Sequence, residues 1–207
     1  MKIQKSKYPI FGFMFCMVLL QYSCKQETTE TKPDYTGKTL ISIESNIIKL
    51  EGGDQIVLNE DSIAKVFYLV RHAEKDTSVE VEPPLTEAGL QRATKIADIM
   101  RGTRVDAIYS TMTIRTMFTV DSLADIKAMK ILPYENKGLK ALLDDIQTSQ
   151  DYNRIFIVGH SNTIPSITNT LAGKQVFTKT FDENDYGNFV IVVQNKSGTK
   201  DAYALRY

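Results

Sequence analysis

Cysteine and histidine are both scarce in this chain of 207 residues, which contains two of each. Cys16 lies within an apolar amino-terminal run that export would remove, so the mature chain would retain only Cys24. This excludes a disulfide framework within one chain. Two histidines with arginine neighbours and no cluster of thiols are also poor metal ligands. We therefore expect neither a metal ion nor another cofactor.

The charge balance argues against binding of nucleic acid. Lysine and arginine total 25, as do aspartate and glutamate, so the formal net charge is zero and no basic surface is indicated. The first 23 residues contain three lysines and no acid, and without them the balance is 22 against 25, or −3. With 43% hydrophobic residues and nine phenylalanines, the rest of the chain can bury one substantial core.

The amino-terminal apolar run, Pro9–Leu20, has twelve residues, which are too few to span a bilayer. Three lysines precede it, at positions 2, 5 and 7. A short apolar run behind a basic segment is typical of a signal peptide, which we assign to residues 1–23.

The residues that follow resemble a bacterial lipoprotein signal. Ser23 is small and precedes Cys24, which would be the lipidated first residue of the mature chain, and residues 24–37 form a polar tether. Gln21 and the bulky Tyr22 depart from the usual pattern, so an ordinary secreted protein is the alternative. We expect an exported protein held on a membrane of the bacterial envelope by a lipid on Cys24.

Residues 38–60 predict a β-hairpin leader. Lys38–Ile43 and Asn46–Leu50 are strand-like, and a turn at 52–54 leads to a further apolar stretch at Gln55–Leu58. Gly37–Thr39 resembles the end of a phosphate-binding P-loop, but Lys32 stands where that motif requires glycine. We therefore exclude a P-loop.

The main domain, residues 61–207, alternates strands and helices. The predicted strands cover residues 66–70, 106–110, 130–132, 154–158, 188–194 and 201–205, and the predicted helices cover 86–100, 113–128, 139–146 and 162–171. This order predicts an α/β fold, a three-layer α/β/α sandwich with a mostly parallel central sheet. Predicted core residues include Leu90 on the first helix, and Met112, Met117 and Phe118 at the second.

Three predicted strand ends carry side chains suited to an anion. The first delivers Arg71 and His72, the second leads to Arg115, and a later one delivers His160 and Ser161 at a helix amino terminus. Ligands of open α/β sheets bind outside the carboxyl ends of the strands, so these groups should share one crevice. Guanidinium groups match phosphate oxygens in a bidentate way, and the crevice therefore suits a phosphoryl group.

Four segments together resemble the histidine phosphatase superfamily, also called phosphoglycerate mutase-like. They are Arg71–Lys75, Leu85–Ala93, Tyr109–Thr111 with Arg115–Thr116, and Val158–Ser161. Each motif alone is weak, but all four occur in the right order, each in its proper place, and the resemblance spans residues 66–193. It implies a fold of the phosphoglycerate mutase type and a phosphorylated small molecule or phosphoprotein as substrate.

The resemblance implies that His72 attacks phosphorus and forms a phosphohistidine, which water then hydrolyses. Arg71, Arg115, a protonated His160 and Ser161 would bind the phosphoryl group, and the first three would stabilise the transition state. The arginines would also keep His72 neutral. The expected activity is hydrolysis of phosphomonoesters.

The sequence leaves several candidates for the general acid. One branch of the family carries an acid directly after its second histidine, where this chain has Ser161. Glu135, Asp182 and Glu183 are the other candidates for protonating a leaving alkoxide. A phosphohistidine or acyl phosphate substrate would need no strong acid.

Several other functions remain as alternatives. A phosphoglycerate mutase type of phosphoryl transfer is less favoured because the loops between the motifs are short. A phosphohistidine protein phosphatase and a non-catalytic surface lipoprotein that binds phosphate or a partner are also open. A serine hydrolase is excluded, because Thr163 stands where the Gly-x-Ser-x-Gly turn needs glycine and no histidine follows His160.

Overall fold

Nine strands and four α-helices form residues 34–207 in a computed structural model that describes residue 1 and residues 34–207. In chain order they are β1 (Leu40–Glu44), β2 (Ile47–Leu50), β3 (Gln55–Val57), β4 (Ile63–Arg71), α1 (Glu87–Met100), β5 (Ala107–Ser110), α2 (Ile114–Lys127), β6 (Ile131–Pro133), α3 (Leu139–Thr148), β7 (Arg154–Gly159), α4 (Thr163–Ala172), β8 (Asn188–Asn195) and β9 (Lys200–Arg206). Residues 34–207 are one compact unit.

The central sheet has six strands in the order β6-β5-β7-β4-β8-β9. β6, β5, β7 and β4 pair in parallel, whereas β8 is antiparallel to both β4 and β9. Five of the six strands therefore run in one direction. The predicted mostly parallel sheet is confirmed.

Alternate residues of the central strands face opposite sides of the sheet. In β4, Val66, Tyr68 and Val70 belong to the core formed with α1 and α2, whereas Phe67 and Leu69 belong to the core formed with α3 and α4. Both faces of the sheet are thus covered by helices, which explains the continuous apolar runs of its strands. The predicted three-layer α/β/α arrangement is confirmed.

The segment predicted as a hairpin leader forms a separate antiparallel sheet in the order β1-β2-β3. Its inward side chains, including Leu40, Ile43 and Ile48, join the same core as α1 and α2. The small sheet therefore packs as part of the main unit.

Three residues predicted to lie in the core are instead exposed: Leu90, Met112 and Phe118 are 44%, 67% and 51% accessible. On α2 the buried positions include Thr116 and Thr119, whose hydroxyls bond within the helix or its amino-terminal turn, and Phe118 faces away from them. Met117 is half-buried.

Residues 2–33 lie outside the described part of the chain, and with them most of the predicted signal peptide, Cys24 and most of the tether. Among the described residues, none of the helices has both the length and the apolar character needed to cross a bilayer.

Candidate active site

The carboxyl ends of three parallel strands meet at one edge of the central sheet. Pairing places Arg71, the last residue of β4, beside Gly159 of β7, and Ser110 of β5 beside Val158. The amide of His72 donates to the carbonyl oxygen of Gly159 at 2.9 Å. The residues that follow these strands are therefore neighbours, as the sequence predicted.

A pocket of about 590 Å³ opens at this edge. Four predicted site residues line it: His72, Arg115, His160 and Ser161. The two imidazole rings meet edge to face with their centroids 5.5 Å apart. The other lining residues are all polar or charged, namely Lys75, Thr113, Asn136, Asn162, Thr180 and Glu183. Such a wall suits a small polar anion.

The orientation of the His72 ring is set by the backbone. Its Nδ1 lies 2.8 Å from the carbonyl oxygen of Ala73, and because a carbonyl only accepts, Nδ1 carries the proton of the neutral ring. Nε2 is then left with a free lone pair. Burial, together with the charges of Arg71 and Arg115 and the neighbouring His160, lowers the pKa of His72 to about 3, so the ring is neutral at physiological pH.

The residues after His72 are held from two sides. The amide of Ala73 donates to Oγ1 of Thr119 on α2 at 2.8 Å. The carbonyl oxygen of Glu74 accepts from the amide of Thr86 at 2.9 Å, and its carboxylate receives Arg92 at 2.7 to 2.9 Å. These contacts fix the loop that carries the imidazole.

Gly89 on α1 is required for this close packing. A Cβ atom there would lie 2.3 Å from the carbonyl oxygen of Glu74, far inside van der Waals contact. The glycine therefore lets α1 approach the loop that follows His72, at a cost in helix propensity of about 1 kcal/mol relative to alanine.

The surroundings of His160 in the pocket act against the protonated state expected for it. Burial and the positive charges of Arg115 and Arg71 lower its pKa to about 4, so the ring is neutral at physiological pH. Its Nε2 lies 3.0 Å from Oγ1 of Thr111, whose own proton goes to Oγ1 of Thr116. The geometry therefore assigns the ring proton to Nε2, which donates to Thr111.

Arg71 lies behind the pocket and is not part of its lining. Its side chain is 1% exposed, and Nη1 donates to the carbonyl oxygens of Asp182 and Asp185 at 2.7 and 3.2 Å. Nη2 pairs with Glu183 at 3.2 Å, and the guanidinium stacks 4.3 Å from the centre of the Tyr186 ring. Of the three guanidinium nitrogens of Arg71, only Nε is buried without a hydrogen-bond partner among residues 34–207. Of the predicted phosphoryl ligands, Arg71 thus has the least direct access.

Arg115 projects into the pocket from the first turn of α2. Its Nε is also buried without a hydrogen-bond partner in the described part of the chain. A buried guanidinium nitrogen without a hydrogen-bond partner is unfavourable, and an oxygen of a bound anion would supply that partner. This residue is the strongest single indication of a bound anion.

The three candidate acids are placed differently. Glu183 lines the pocket and accepts a hydrogen bond from Oγ of Ser161 at 2.8 Å. Neither the exposed Glu135 nor Asp182, which offers only its carbonyl oxygen to Arg71, lines the pocket. The Ser161 hydrogen bond, and then the charges of Arg71 and other nearby cations, lower the pKa of Glu183.

Sequence reasoning gave no role to Tyr186, whose ring lies 4.3 Å from the Arg71 guanidinium and 5.9 Å from the centroid of His72. Its position depends on a loop between α4 and β8 that shows no periodicity, so no sequence signal would have indicated it. Within the described residues, no group of three or more histidine, cysteine, aspartate or glutamate side chains could hold a metal ion.

Comparison with known proteins finds one family model and several solved structures of similar fold. Residues 67–139 match the model of the histidine phosphatase superfamily (branch 1). The protein histidine phosphatase SixA, solved with tungstate, is 14% identical with a TM-score of 0.55, covering 68% of this chain and 96% of SixA. Phosphoserine phosphatase of Entamoeba histolytica, in complex with 3-phosphoglyceric acid, is 17% identical with a TM-score of 0.52, covering 69% and 97% of the two chains.

A candidate phosphohistidine phosphatase SixA from Agrobacterium tumefaciens is 20% identical with a TM-score of 0.54, covering 67% of this chain and 96% of that one. No curated protein matches the chain. At these identities the solved structures establish a shared fold, of the phosphoglycerate mutase type. Residues 67–139, the segment that matches the family model, carry both His72 and Arg115.

Proposed function

We propose that the protein is a phosphatase that hydrolyses phosphomonoesters through a phosphohistidine intermediate on His72. One observation carries the proposal: the ring is neutral, Nδ1 is held by the Ala73 carbonyl, and Nε2 is left with a lone pair in a pocket shared with Arg115. A neutral imidazole with a free lone pair is a competent nucleophile.

Binding of the phosphoryl group would use the unpaired groups of the pocket. Arg115 and the amino terminus of α4, where Ser161 and Asn162 lie, would contact its oxygens. Burial and nearby positive charges keep His160 neutral. The incoming dianion would offset those charges, so His160 would take up a proton and donate to the phosphoryl group. Arg71 would contribute from behind the pocket through its charge and its free Nε.

The reaction would then proceed in two displacements. Nε2 of His72 forms a bond to phosphorus as the bond to the leaving oxygen breaks. Water next attacks phosphorus, the P–N bond breaks, and its electron pair returns to Nε2. Transition states for phosphoryl transfer spread charge over the equatorial oxygens, so Arg115 and His160 act mainly by electrostatic stabilisation.

A phosphohistidine protein is the second candidate substrate. It is favoured by the likeness to SixA, a protein histidine phosphatase. A leaving imidazole needs less protonation than a leaving alkoxide.

Turnover of a panel of phosphomonoesters and a phosphohistidine peptide tests both candidates. His72→Asn is the matched variant, since its side-chain amide can still donate to the Ala73 carbonyl while Nε2 is absent. The wild type should release phosphate, and the variant should not. Equal turnover by both would refute the nucleophile assignment, and binding of tungstate without any turnover would favour a phosphate-binding protein. Transfer of the phosphoryl group to an added acceptor, in place of water, would indicate a mutase.

We also propose that the mature protein carries a lipid on Cys24. The support is the order of basic, apolar and small residues before that cysteine. In a bacterial host, wild type should incorporate labelled fatty acid and fractionate with membranes, and Cys24→Ala should do neither. Incorporation by both proteins would contradict this assignment.

A further inference from the structure

The carboxylates in and near the pocket differ in their hydrogen-bond partners and in whether they line it. Glu74 is paired with Arg92, and Glu82 accepts the amide of Ile114 at 2.9 Å. Neither side chain lines the pocket. Among the described residues, Glu183 is the only carboxylate in the pocket wall.

The backbone around Glu183 is anchored on both sides. The amide of Phe181 donates to the carbonyl oxygen of Ser161 at 2.9 Å, and the ring of Phe181 is buried. The carbonyl oxygens of Asp182 and Asp185 both accept from Arg71. The backbone of Glu183 is therefore held beside the pocket by its own loop.

The carboxylate of Glu183 has two hydrogen-bond donors and remains accessible to solvent. Oε1 accepts from Ser161 at 2.8 Å and Oε2 from Arg71 at 3.2 Å, while the side chain remains 70% exposed. Each carboxylate oxygen has a second lone pair, so both can also accept from water. A charged acceptor in the wall of the pocket, in contact with solvent, is suited to taking a proton from a water molecule.

We infer that Glu183 is the catalytic base for the second displacement and that Ser161 is its positioning residue. This inference rests on the proposed phosphohistidine on His72. The oxygen of water bonds to phosphorus, one proton of that water passes to Glu183, and the P–N bond breaks with its electron pair returning to Nε2. The products are hydrogen phosphate, neutral His72 and protonated Glu183. In the next turnover that proton can go to the leaving oxygen.

Its lowered pKa agrees with this order of events, because the carboxylate is ionised before water attacks. A purely structural role is the competing explanation, since Glu183 also ties its loop to Arg71. Glu183→Gln separates the two. The amide oxygen can still accept from Ser161, whereas the group can no longer take a proton.

The experiment is a rapid-quench measurement with p-nitrophenyl phosphate, whose leaving group needs no acid. In Glu183→Gln we expect a burst of about one p-nitrophenol per site, followed by turnover about 100-fold slower than wild type, with phosphoenzyme accumulating. Ser161→Ala should show a smaller burst. Glu135→Gln and Asp182→Asn, which remove charge nearby without touching the pocket wall, should behave as wild type.

A wild-type rate of dephosphorylation in Glu183→Gln, or phosphoenzyme accumulating in Glu135→Gln in its place, would overturn the inference. If Glu183→Gln folds poorly, Glu183→Ala with added formate supplies the second test, and formate should restore the slow step. A complete lack of phosphoenzyme in every protein, wild type included, would instead count against the proposed function.

Discussion

Acidification from pH 8 to pH 5 should destabilise this protein through its two histidines. The pKa of His72 is lowered to about 3 and that of His160 to about 4, whereas an unfolded histidine titrates near 6.5. Below pH 6.5 the histidines of the unfolded chain therefore bind protons, whereas the two rings of the native protein remain neutral. Stability falls as the pH falls, and the loss continues down to the native pKa values.

The loss of stability between pH 8 and pH 5 depends little on the native pKa values of the two histidines, because both values lie below pH 5. Each ring should reduce the free energy of unfolding by about 2 kcal/mol between pH 8 and pH 5. His160 should fall on the low side, because its side chain is partly exposed. Carboxylates with pKa values near 4 or lower contribute only a few tenths of a kcal/mol over this range.

Urea melts at pH 8 and pH 5 measure this difference, with His72→Asn and His160→Gln as controls. Each substitution keeps one hydrogen-bonding atom of the ring and removes its titration. Each single variant should lose about 2 kcal/mol of the wild-type pH dependence. An unchanged dependence in His72→Asn would refute a neutral buried ring, and with it the reason why Nε2 is free to attack.

Three further outcomes follow from the packing of the site. Arg115→Met should lower kcat/KM by at least about 100-fold while leaving the melting temperature equal or higher, because it removes a buried Nε that has no hydrogen-bond partner. A lower melting temperature with normal activity would contradict this. Gly89→Ala should destabilise by about 1 to 3 kcal/mol in denaturant melts, despite the better helix propensity of alanine, because Cβ would strike the Glu74 carbonyl. Thr119→Val should slow turnover and cost about 1 to 3 kcal/mol of stability, since the amide of Ala73 loses its acceptor; unchanged melts and kinetics would show that another group replaces it.

The sheet was predictable from the sequence because β4, β5 and β7 are short apolar runs separated by amphipathic helices. The convergence of His72, Arg115 and His160 followed from topology alone, since parallel strands present their carboxyl ends at one edge. These predictions needed only the local sequence pattern and the shared direction of the strands.

The inner face of α2 was not predictable from hydrophobicity. Thr116 and Thr119 are buried there, and Phe118 is exposed, which reverses the usual preference. Both hydroxyls donate to carbonyl oxygens nearby in the chain, so their burial leaves no polar group unsatisfied. Periodicity of apolar residues cannot detect such an arrangement.

The hydrogen bonds of Arg71 and the protonation state of His160 could not be predicted from the sequence either. Arg71 donates hydrogen bonds to the carbonyl oxygens of a loop more than one hundred positions further along the chain. No pattern in the neighbouring sequence indicates such an interaction. The neutral state of His160 depends on its burial and on the charge of Arg115, both of which are properties of the folded pocket.

The position of the phosphoryl group after acid-free quenching tests the central claim most directly. Labelled enzyme, trapped during turnover of a labelled phosphomonoester and digested, should carry the phosphoryl group on His72, attached at Nε2, because Nδ1 is occupied by the Ala73 carbonyl. Label on Nδ1, on His160 or on Ser161 would contradict the account.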